Sequence, residues 1–348
     1  MPILNSNKRV SILAVLLIFS LPGLWSQEKP NFMPEDIESN YMELECLCKP
    51  GVINKSRSRG IDIHYIQILG DSFEEEKPYY FSDDPSSLKR TQALTLKIKA
   101  PLINKEGMKF LLGAFYSSEN FTFDEIRQDF QNPFQHIDGI RLKHSGIEAL
   151  FTKSLNDRHY TNFRIRYMAN GDYKGVLDFS DKYRILNASG VFAFKKNDNM
   201  EWGIGINYAK SFRRTLLVPF IIYNKTFNER WGLEAVLPTM VVGRYNFSPR
   251  SILLFGIQYN SRSYSIDVPE TFGPVNYAMN HSELRLGVGV EKHIQDWLWI
   301  NLAGGFQENF STDFEALDAS DFSFKVEPKS SPFIKLGIFL SPPDSFFK

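Results

Sequence analysis

The feature that most constrains this chain is a strict alternation of large apolar and small or polar residues after residue 58. In residues 201–210, Trp202, Ile204, Ile206 and Tyr208 share one face, and smaller or polar residues occupy the other. Successive side chains of a β-strand point to opposite faces, so this period of two predicts strands. Most of the segments have ten or more residues, which is the length a tilted strand needs to cross a bilayer. Strands of soluble proteins are usually about five or six residues long.

The alternating segments number fourteen. They are residues 59–69, 89–100, 108–123, 140–155, 158–170, 183–195, 200–212, 214–224, 228–237, 238–247, 251–265, 280–292, 297–309 and 331–340. Single-chain bacterial outer-membrane barrels have an even number of antiparallel strands. The sequence therefore predicts an all-β fold, a closed antiparallel transmembrane β-barrel of about 14 strands, within a range of 12–16.

The lengths of the connections separate a barrel from a β-sandwich, which would show the same alternation. One end of the predicted strands carries short turns, such as residues 104–107 and 295–296. The long connections all fall at the other end: residues 70–88, 124–139, 171–182, 266–279 and 310–330. Residues 212–214 and 237–239 are exceptions, because they are short connections at the long-loop end. Outer-membrane barrels have tight periplasmic turns and longer outer loops, so this sorting favours a barrel.

The N-terminal segment predicts export. Lys8 and Arg9 precede the apolar run 10–19, and a helix-breaking stretch then leads to Ser26. This order is typical of a secretory signal peptide, residues 1–26, cleaved before Gln27. Residues 59–348 then form an outer-membrane barrel of a Gram-negative bacterium. Residues 27–58 are a periplasmic lead, a plug in the lumen or an extra strand, since residues 41–48 also alternate.

Composition excludes several classes of protein. Lys and Arg together number 40, as do Asp and Glu, so no net charge favours nucleic acid as a partner. The mean hydropathy of −0.26 is too polar for a bundle of membrane helices. The 30 Phe and 15 Tyr suit strands and membrane interfaces. The expected partners are outer-membrane lipid and lipopolysaccharide, the barrel-assembly machinery during insertion, and a small solute.

Two stretches of the chain match a pattern seen in other barrels. The first stretch consists of residues 96–102 and 110–116, which flank a short turn. The second is residues 231–246, which contain a Leu-Pro turn, end in Arg-Tyr-Asn and are followed by Ser248 and Pro249. Together they resemble an uncharacterised outer-membrane β-barrel family of Gram-negative bacteria, known only as a domain of unknown function. The resemblance implies the fold and the compartment, and it transfers no catalytic residues. The last strand, residues 332–340, also resembles the outer-membrane insertion signal.

No arrangement of reactive residues predicts an enzyme. The six histidines are scattered without metal-ligand spacing, and His144 and His281 each adjoin a serine that must point to the opposite face of the strand. Cys46 and Cys48 are predicted to be idle thiols or to form an intermolecular bridge. Several acidic residues fall in predicted outer loops, and we expect their side chains to be solvated: Glu74–Glu76, Asp83, Asp84, Asp313, Glu315, Asp318 and Asp321. We expect no catalytic residue, no metal and no cofactor.

The inner face of the predicted barrel carries the one hint of function. Its polar residues, which the alternation places in the lumen, are Arg164, Arg166, Glu201, Asn207, Glu234, Arg244, Glu283 and Arg285. They could line a pore, or they could pair across the lumen and close it. Mid-strand Gly203 and Gly205 are expected to relieve crowding inside the barrel, and Pro219 to mark a β-bulge. The sequence thus predicts a porin-like passive channel or small-solute transporter. A structural or adhesion barrel and a lipid-modifying barrel enzyme are the alternatives.

Overall fold

The structure is a computed structural model of the chain. It describes residues 51–75, 87–105, 107–125, 136–212, 214–267, 276–317, 323–328 and 330–341. The predicted signal peptide, most of the segment 27–58, and Cys46 and Cys48 lie outside the described residues. The possible strand at 41–48 lies outside them as well.

The described residues form fifteen strands, each antiparallel to its partners in the wall. They are β1 (Ile61–Glu75), β2 (Ser87–Lys105), β3 (Met108–Glu125), β4 (Arg141–Ser154), β5 (His159–Gly171), β6 (Arg184–Asn197), β7 (Met200–Ser211), β8 (Arg214–Thr226), β9 (Trp231–Leu237), β10 (Met240–Ser248), β11 (Ser251–Asp267), β12 (Asn276–Gln295), β13 (Leu298–Ala316), β14 (Ser323–Pro328) and β15 (Ser331–Leu340). From β1 to β13, each strand pairs with the next along the chain. Within the described residues, no α-helix is both long and apolar enough to cross a bilayer.

The last strand closes the sheet into a barrel. β15 pairs with β13 on one side and with β1 on the other, from Ile61 opposite Leu340 to Ile68 opposite Phe333. β14 pairs with the same two neighbours farther along, so β14 and β15 together occupy one position in the wall. The wall therefore has fourteen positions. The prediction of a closed antiparallel barrel of about 14 strands is confirmed.

Several strands run farther toward the long-loop end than the sequence predicted. β1 continues to Glu75, β12 begins at Asn276, and β13 continues to Ala316. Asp313 and Glu315, which were expected in a loop, therefore lie on β13 and pair with β12 and β14. The predicted loop was wrong at these residues because a run of polar side chains was interpreted as a loop. Where neither face is confined to lipid, paired strands need no apolar alternation.

The predicted bulge at Pro219 is also wrong. Pro219 lies opposite Ile206 in a β7–β8 register that has no shift. On its other side β8 pairs with β9 only from Ile221 to Thr226, because β9 ends at Leu237. The edge of β8 that holds Pro219 therefore has no described ladder partner, and the missing N–H costs no hydrogen bond.

The two faces of the wall differ in chemistry. Large apolar side chains are exposed on the outer face of most strands, including Ile147, Ile165, Ile204, Leu286 and Leu336. Soluble monomers rarely expose so continuous an apolar surface, which is the surface expected against hydrocarbon. The inner face carries the buried charged residues. We call the end of the barrel that carries the short connections the turn end, and the opposite end the loop end.

Candidate functional site in the barrel lumen

The structure places the eight sequence-predicted lumen residues in several separate groups. All are buried except Arg285, which is partly buried. Glu234 lies 3.3 Å from Arg244, and Glu283 lies 2.5 Å from Arg285. Asn207 is buried on β7. The guanidinium of Arg244 lies against Gly232, where an added Cβ would overlap it. The eight residues therefore do not form one site.

Arg164 and Arg166 converge on a glutamate that the sequence analysis did not single out. Glu148 of β4 accepts hydrogen bonds from Arg164 at 2.6 and 2.9 Å and from Arg166 at 3.1 Å. Lys99 Nζ lies 3.7 Å from the same carboxylate. Both partners of such a buried pair lose their hydration, so removing one partner would leave the other charge uncompensated. Glu148 thus holds three cations on one side of the lumen.

A salt bridge crosses the lumen from β11 to β3. Arg262 Nη1 lies 3.0 and 3.1 Å from the two carboxylate oxygens of Glu119, and its Nη2 lies 2.9 Å from Glu283. The Tyr264 hydroxyl also donates to Glu119, at 2.9 Å. β3 and β11 lie far apart in the order of strands around the wall. This cross-lumen bridge, Arg262 with Glu119 and Glu283, therefore brings opposite walls into contact.

The loop end beyond the bridge is filled by apolar side chains from six strands and one loop. This apolar cap consists of Leu88, Phe121, Phe123, Ile137, Leu142, Tyr264, Ile266, Tyr277, Met279, Phe314 and Ala316, with Ile140 against it. Ile137 belongs to the described part of the connection between β3 and β4, residues 136–140, and packs into this cluster. Gly171 of β5 also makes a parallel bridge with Ser265 of β11, which joins two strands that are not neighbours in the wall. The loop end is closed by packing and by wall-to-wall contact.

Asp172, in the β5–β6 connection, links several parts of the loop end. Its carboxylate accepts hydrogen bonds from the Asp267 amide at 2.8 Å and from the Tyr183 hydroxyl at 3.1 Å. His136 Nε2 lies 3.6 Å away. Burial raises the pKa of Asp172, but contacts with His136, the Asp267 amide and Tyr183 outweigh burial and leave that pKa below the ordinary 3.8. The ionised carboxylate of Asp172 therefore makes these contacts.

The turn end is closed differently, by residues 51–60, here called the strap. The strap runs along the inner wall from the β6–β7 turn, where the Ile53 amide donates to the Asp198 carbonyl at 2.9 Å. The Ser56 amide and hydroxyl donate to the Glu234 carboxylate at 3.0 and 2.7 Å. The strap is therefore held by polar contacts with strand residues of the inner face.

Three charged residues of the strap, Lys55, Arg57 and Arg59, line the cavity. Arg59 lies 3.2 Å from Asp62 and 2.5 Å from Glu291, and it stacks 4.5 Å from the centre of the Phe339 ring. Burial lowers the pKa of the Lys55 amine more than the nearby carboxylates of Glu234 and Glu201 raise it. Glu201 also accepts a hydrogen bond from the Gly51 amide at 2.5 Å. The strap thus uses the acidic residues of the lumen as its anchors.

A cavity of about 320 Å³ lies between the strap and the cross-lumen bridge. Its charged lining residues are Lys55, Arg57, Arg59, Asp62, Lys97, Glu148, Arg166, Glu234, Arg262, Arg285, Glu291 and Lys335. Eight of these are Lys or Arg and four are Asp or Glu. A second part of the lining is apolar and comes from neighbouring strands β8–β11: Ile222, Val236, Met240, Val242 and Leu254. The cavity is therefore cationic on one side and apolar on another.

The histidines contact polar groups in the wall and connections. His64 lies 3.2 Å from Asp62, and His281 lies 3.1 Å from Glu283. His144 lies 2.6 Å from the Asn170 side chain. In the described part of the chain, no three His, Cys, Asp or Glu residues are arranged to hold a metal ion.

Sequence reasoning missed several of the residues that shape this site. Glu148 lies between Ile147 and Ala149, and Lys335 lies between Ile334 and Leu336. The same alternation that selected the eight predicted residues would have selected these two. Nothing in residues 51–60 signals the strap, because that segment has no periodicity.

Fold and lumen define the class of protein as a closed antiparallel β-barrel with a charged cavity in its lumen. The chain belongs to the family described as "Domain of unknown function (DUF6268)", whose model matches residues 114–341, well over half of the chain. No match was found among curated proteins.

Some solved structures share a low similarity with this chain. The toluene transporter TodX of P. putida is 9% identical, over 81% of this chain and 89% of that one, with a TM-score of 0.33. A Pseudomonas aeruginosa FadL homologue is 11% identical, over 80% and 89%, with a TM-score of 0.31. Pseudomonas putida OprB is 9% identical, over 81% and 93%, with a TM-score of 0.33. These scores are too low to support an inference, so the fold assignment rests on the strand pairing.

Proposed function

We propose that the protein is an outer-membrane β-barrel that passes small solutes through its lumen, and that the conformation described here is its closed state. The observation that carries this proposal is the charged cavity, which lies between the strap at the turn end and the cross-lumen bridge, with the apolar cap beyond the bridge at the loop end. Burying eight cationic and four acidic side chains is costly unless they are paired or hydrated. A barrel that needed only stability would gain from a packed apolar interior.

The apolar outer face supports the location, together with the export signal expected at residues 1–26. Lipid and lipopolysaccharide would then surround the wall, and the barrel-assembly machinery would insert it. We propose no catalytic role, because the buried acids and histidines of the lumen are engaged with cations, amides and hydroxyls. A solute would enter the cavity from the turn end after the strap had moved, and passage would also require the bridge and the apolar cap to move.

The test is conductance of the purified full-length protein in planar lipid bilayers. Arg59→Gln removes the charge that anchors the strap to Asp62 and Glu291. We expect brief openings of the wild-type protein and more frequent openings of the variant, because the closure at the turn end is weakened while the apolar cap at the loop end is unchanged. Arg230→Gln is the matched control, because Arg230 is exposed at the same end and lies outside the lumen.

The second candidate is a permanently sealed structural barrel. The apolar cap favours it, because a packed seal of this kind does not open by exchanging hydrogen bonds with water. If wild type and Arg59→Gln are both silent while folded and inserted, the transport proposal is wrong and the structural barrel stands.

A further inference from the structure

The outer face of β2–β4 changes from apolar to basic residues as it approaches the loop end. On β4, the exposed Ile147 shares its face with Lys143 and Arg141, which lie nearer the loop end. On β2, the exposed Leu94 shares its face with Arg90, which again lies nearer the loop end. Both strands therefore carry cations just beyond the apolar belt of the outer wall.

This basic zone, Arg90, Arg141 and Lys143, has the chemistry of a lipid-headgroup site. We propose that it binds the phosphorylated headgroup of lipopolysaccharide, with the two arginines as phosphate ligands and the lysine beside them. A barrel inserted with its long connections outside the cell would hold the zone at the outer leaflet, where that lipid lies. The inference goes beyond transport and shares with it only the proposed outer-membrane location.

The two arginines have no acidic partner within the described residues. Arg90 and Arg141 are exposed, and neither makes a hydrogen bond or an ion pair in that part of the chain. The Lys143 amine donates to the carbonyl of Tyr173 and lies 5.2 Å from the centre of the Tyr173 ring. That contact positions the amine and leaves its charge in place. The zone therefore presents three positive charges to the surroundings of the wall.

Other exposed cations at the loop end are paired with acids. Lys89 lies 2.9 Å from Asp124, and Arg184 lies 2.8 Å from Asp181. The arginines of the basic zone lack such a partner, and a phosphate would supply it. Guanidinium groups bind phosphate through two parallel charge-assisted hydrogen bonds, which makes arginine well suited to this contact.

The strand register brings the two arginines close enough to hold one headgroup. Arg90 lies opposite Thr122 of β3, and Arg141 lies opposite Asn120 of the same strand. From the usual spacing of strands and residues, their Cα atoms are about 12 Å apart. The β3 side chains between them are short and polar, so they leave the arginines accessible. Two guanidinium groups and an amine favour a headgroup with two phosphates, as in lipopolysaccharide, over the single phosphate of a phospholipid.

The connection between β5 and β6 adds an apolar edge to the basic zone. The Tyr173 hydroxyl lies 2.5 Å from the Ser145 hydroxyl on the outer face of β4, and the Phe179 ring lies 4.6 Å from the Tyr167 ring. These contacts hold the connection against the outer wall. Between them, the apolar side chains of Val176–Leu177 are exposed. Apolar side chains at a membrane surface contact acyl chains, so phosphates and acyl chains of one lipid would both find partners here.

Native mass spectrometry of the full-length protein in detergent, with EDTA present, tests the proposal with two lipids. Diphosphoryl lipid A carries the phosphates and acyl chains of lipopolysaccharide, and dephosphorylated lipid A carries the acyl chains alone. We expect the diphosphoryl form to bind at least tenfold more tightly. Equal binding of the two lipids would overturn the proposal. So would a need for divalent cations, because arginine holds phosphate without them.

Inorganic phosphate distinguishes a lipid site from a site for the free anion. Equimolar inorganic phosphate should leave the lipid bound, because it gains nothing from the apolar edge. Displacement of lipid A by equimolar phosphate would contradict the assignment to a lipid.

Variants assign the phosphates to their ligands. The double variant Arg90→Gln/Arg141→Gln should weaken binding of diphosphoryl lipid A at least tenfold, and Arg90→Lys/Arg141→Lys should recover part of it, because the charge is kept. The matched control is Arg184→Gln/Lys210→Gln, which removes two exposed cations from the outer face of β6 and β7 at the same end. Equal losses in the two glutamine variants, or no loss in the first, would contradict the assignment.

Conductance of the same preparations separates this inference from the transport proposal. Binding of lipid A by a protein that never conducts would leave the lipid site standing and refute transport. Conductance by a protein that does not distinguish the two lipids would refute the lipid site and leave transport standing.

Discussion

The two ends of the lumen are closed by different physical means. At the turn end, the strap lies against the wall through hydrogen bonds and ion pairs, such as Ser56 with Glu234 and Arg59 with Glu291. At the loop end, the apolar cap packs side chains from opposite walls, and Phe314 and Leu142 at its centre are completely buried. Polar contacts lose little free energy when water replaces them, whereas buried apolar contacts have no substitute in water.

This difference teaches where the barrel can open. Releasing the strap exposes polar groups that water can solvate, so its free-energy cost is small. Opening the cap would expose large apolar side chains, at a cost of about 1.5–3 kcal/mol for each. The turn end is therefore expected to be the releasable closure and the loop end the stable one.

The largest effect on stability is expected from the cap. Phe314→Ala should lower the free energy of unfolding by about 3–5 kcal/mol, because the cavity it leaves lies among fully buried neighbours. Urea unfolding in lipid vesicles, followed by tryptophan fluorescence, measures the change. Phe227→Ala, at an exposed phenylalanine in a turn, should cost less than about 1 kcal/mol. Equal effects of the two variants would show that the cap is not a packed core.

The next largest effect is expected from the strap. Arg59→Gln should lower the free energy of unfolding by about 2 kcal/mol, since two carboxylates lose a charged partner. Urea unfolding in lipid vesicles measures the change. A cost as large as that of Phe314→Ala would place the firmer closure at the turn end.

A smaller and pH-dependent effect is expected at Asp172. Its pKa is below 3.8 in the folded barrel, so its contribution to stability is present at neutral pH and is lost as the pH falls below about 4. Asp172→Asn should cost about 1 kcal/mol at pH 7 and less at pH 3. Unfolding at the two pH values checks this, and a cost that is the same at both would contradict it.

The smallest effect is expected from Lys55. Its amine has a pKa below 10.5 when the strap is docked, so the docked state binds fewer protons than the released state. Docking should therefore become more favourable as the pH rises toward 10.5. Lys55→Met should remove that dependence. Trp299 fluorescence can report docking, because Arg57 of the strap lies 5.5 Å from its ring. A wild-type signal that does not change with pH would argue against the burial of a charged amine.

The wall could be predicted from the sequence because its two faces meet different surroundings. That contrast imposes a period of two on every strand, and residues such as Leu286 and Glu283 reveal their faces directly. The alternation also contains Lys335 and Glu148, which could have been selected in the same way.

The contacts that make the closures could not be predicted, although a plug in the lumen was one alternative for residues 27–58. The strap has no periodicity, and its anchors Glu201 and Glu234 lie 150 and 178 residues away along the chain. The bridge joins Arg262 to Glu119 across 143 residues. Such contacts depend on the curvature and register of the whole barrel, which local pattern does not specify.

Hydrogen–deuterium exchange of the full-length protein in lipid tests the central claim, that the turn end is held less firmly than the loop end. The Ile53 amide, bonded to Asp198, represents the strap, and the Asp172 amide, bonded to Ser265, represents the loop end. Exchange reports the free energy of local opening at each site. We predict that strap amides exchange at least tenfold faster than loop-end amides at the same pH, after correction for intrinsic rates. Equal or stronger protection of the strap would contradict the account.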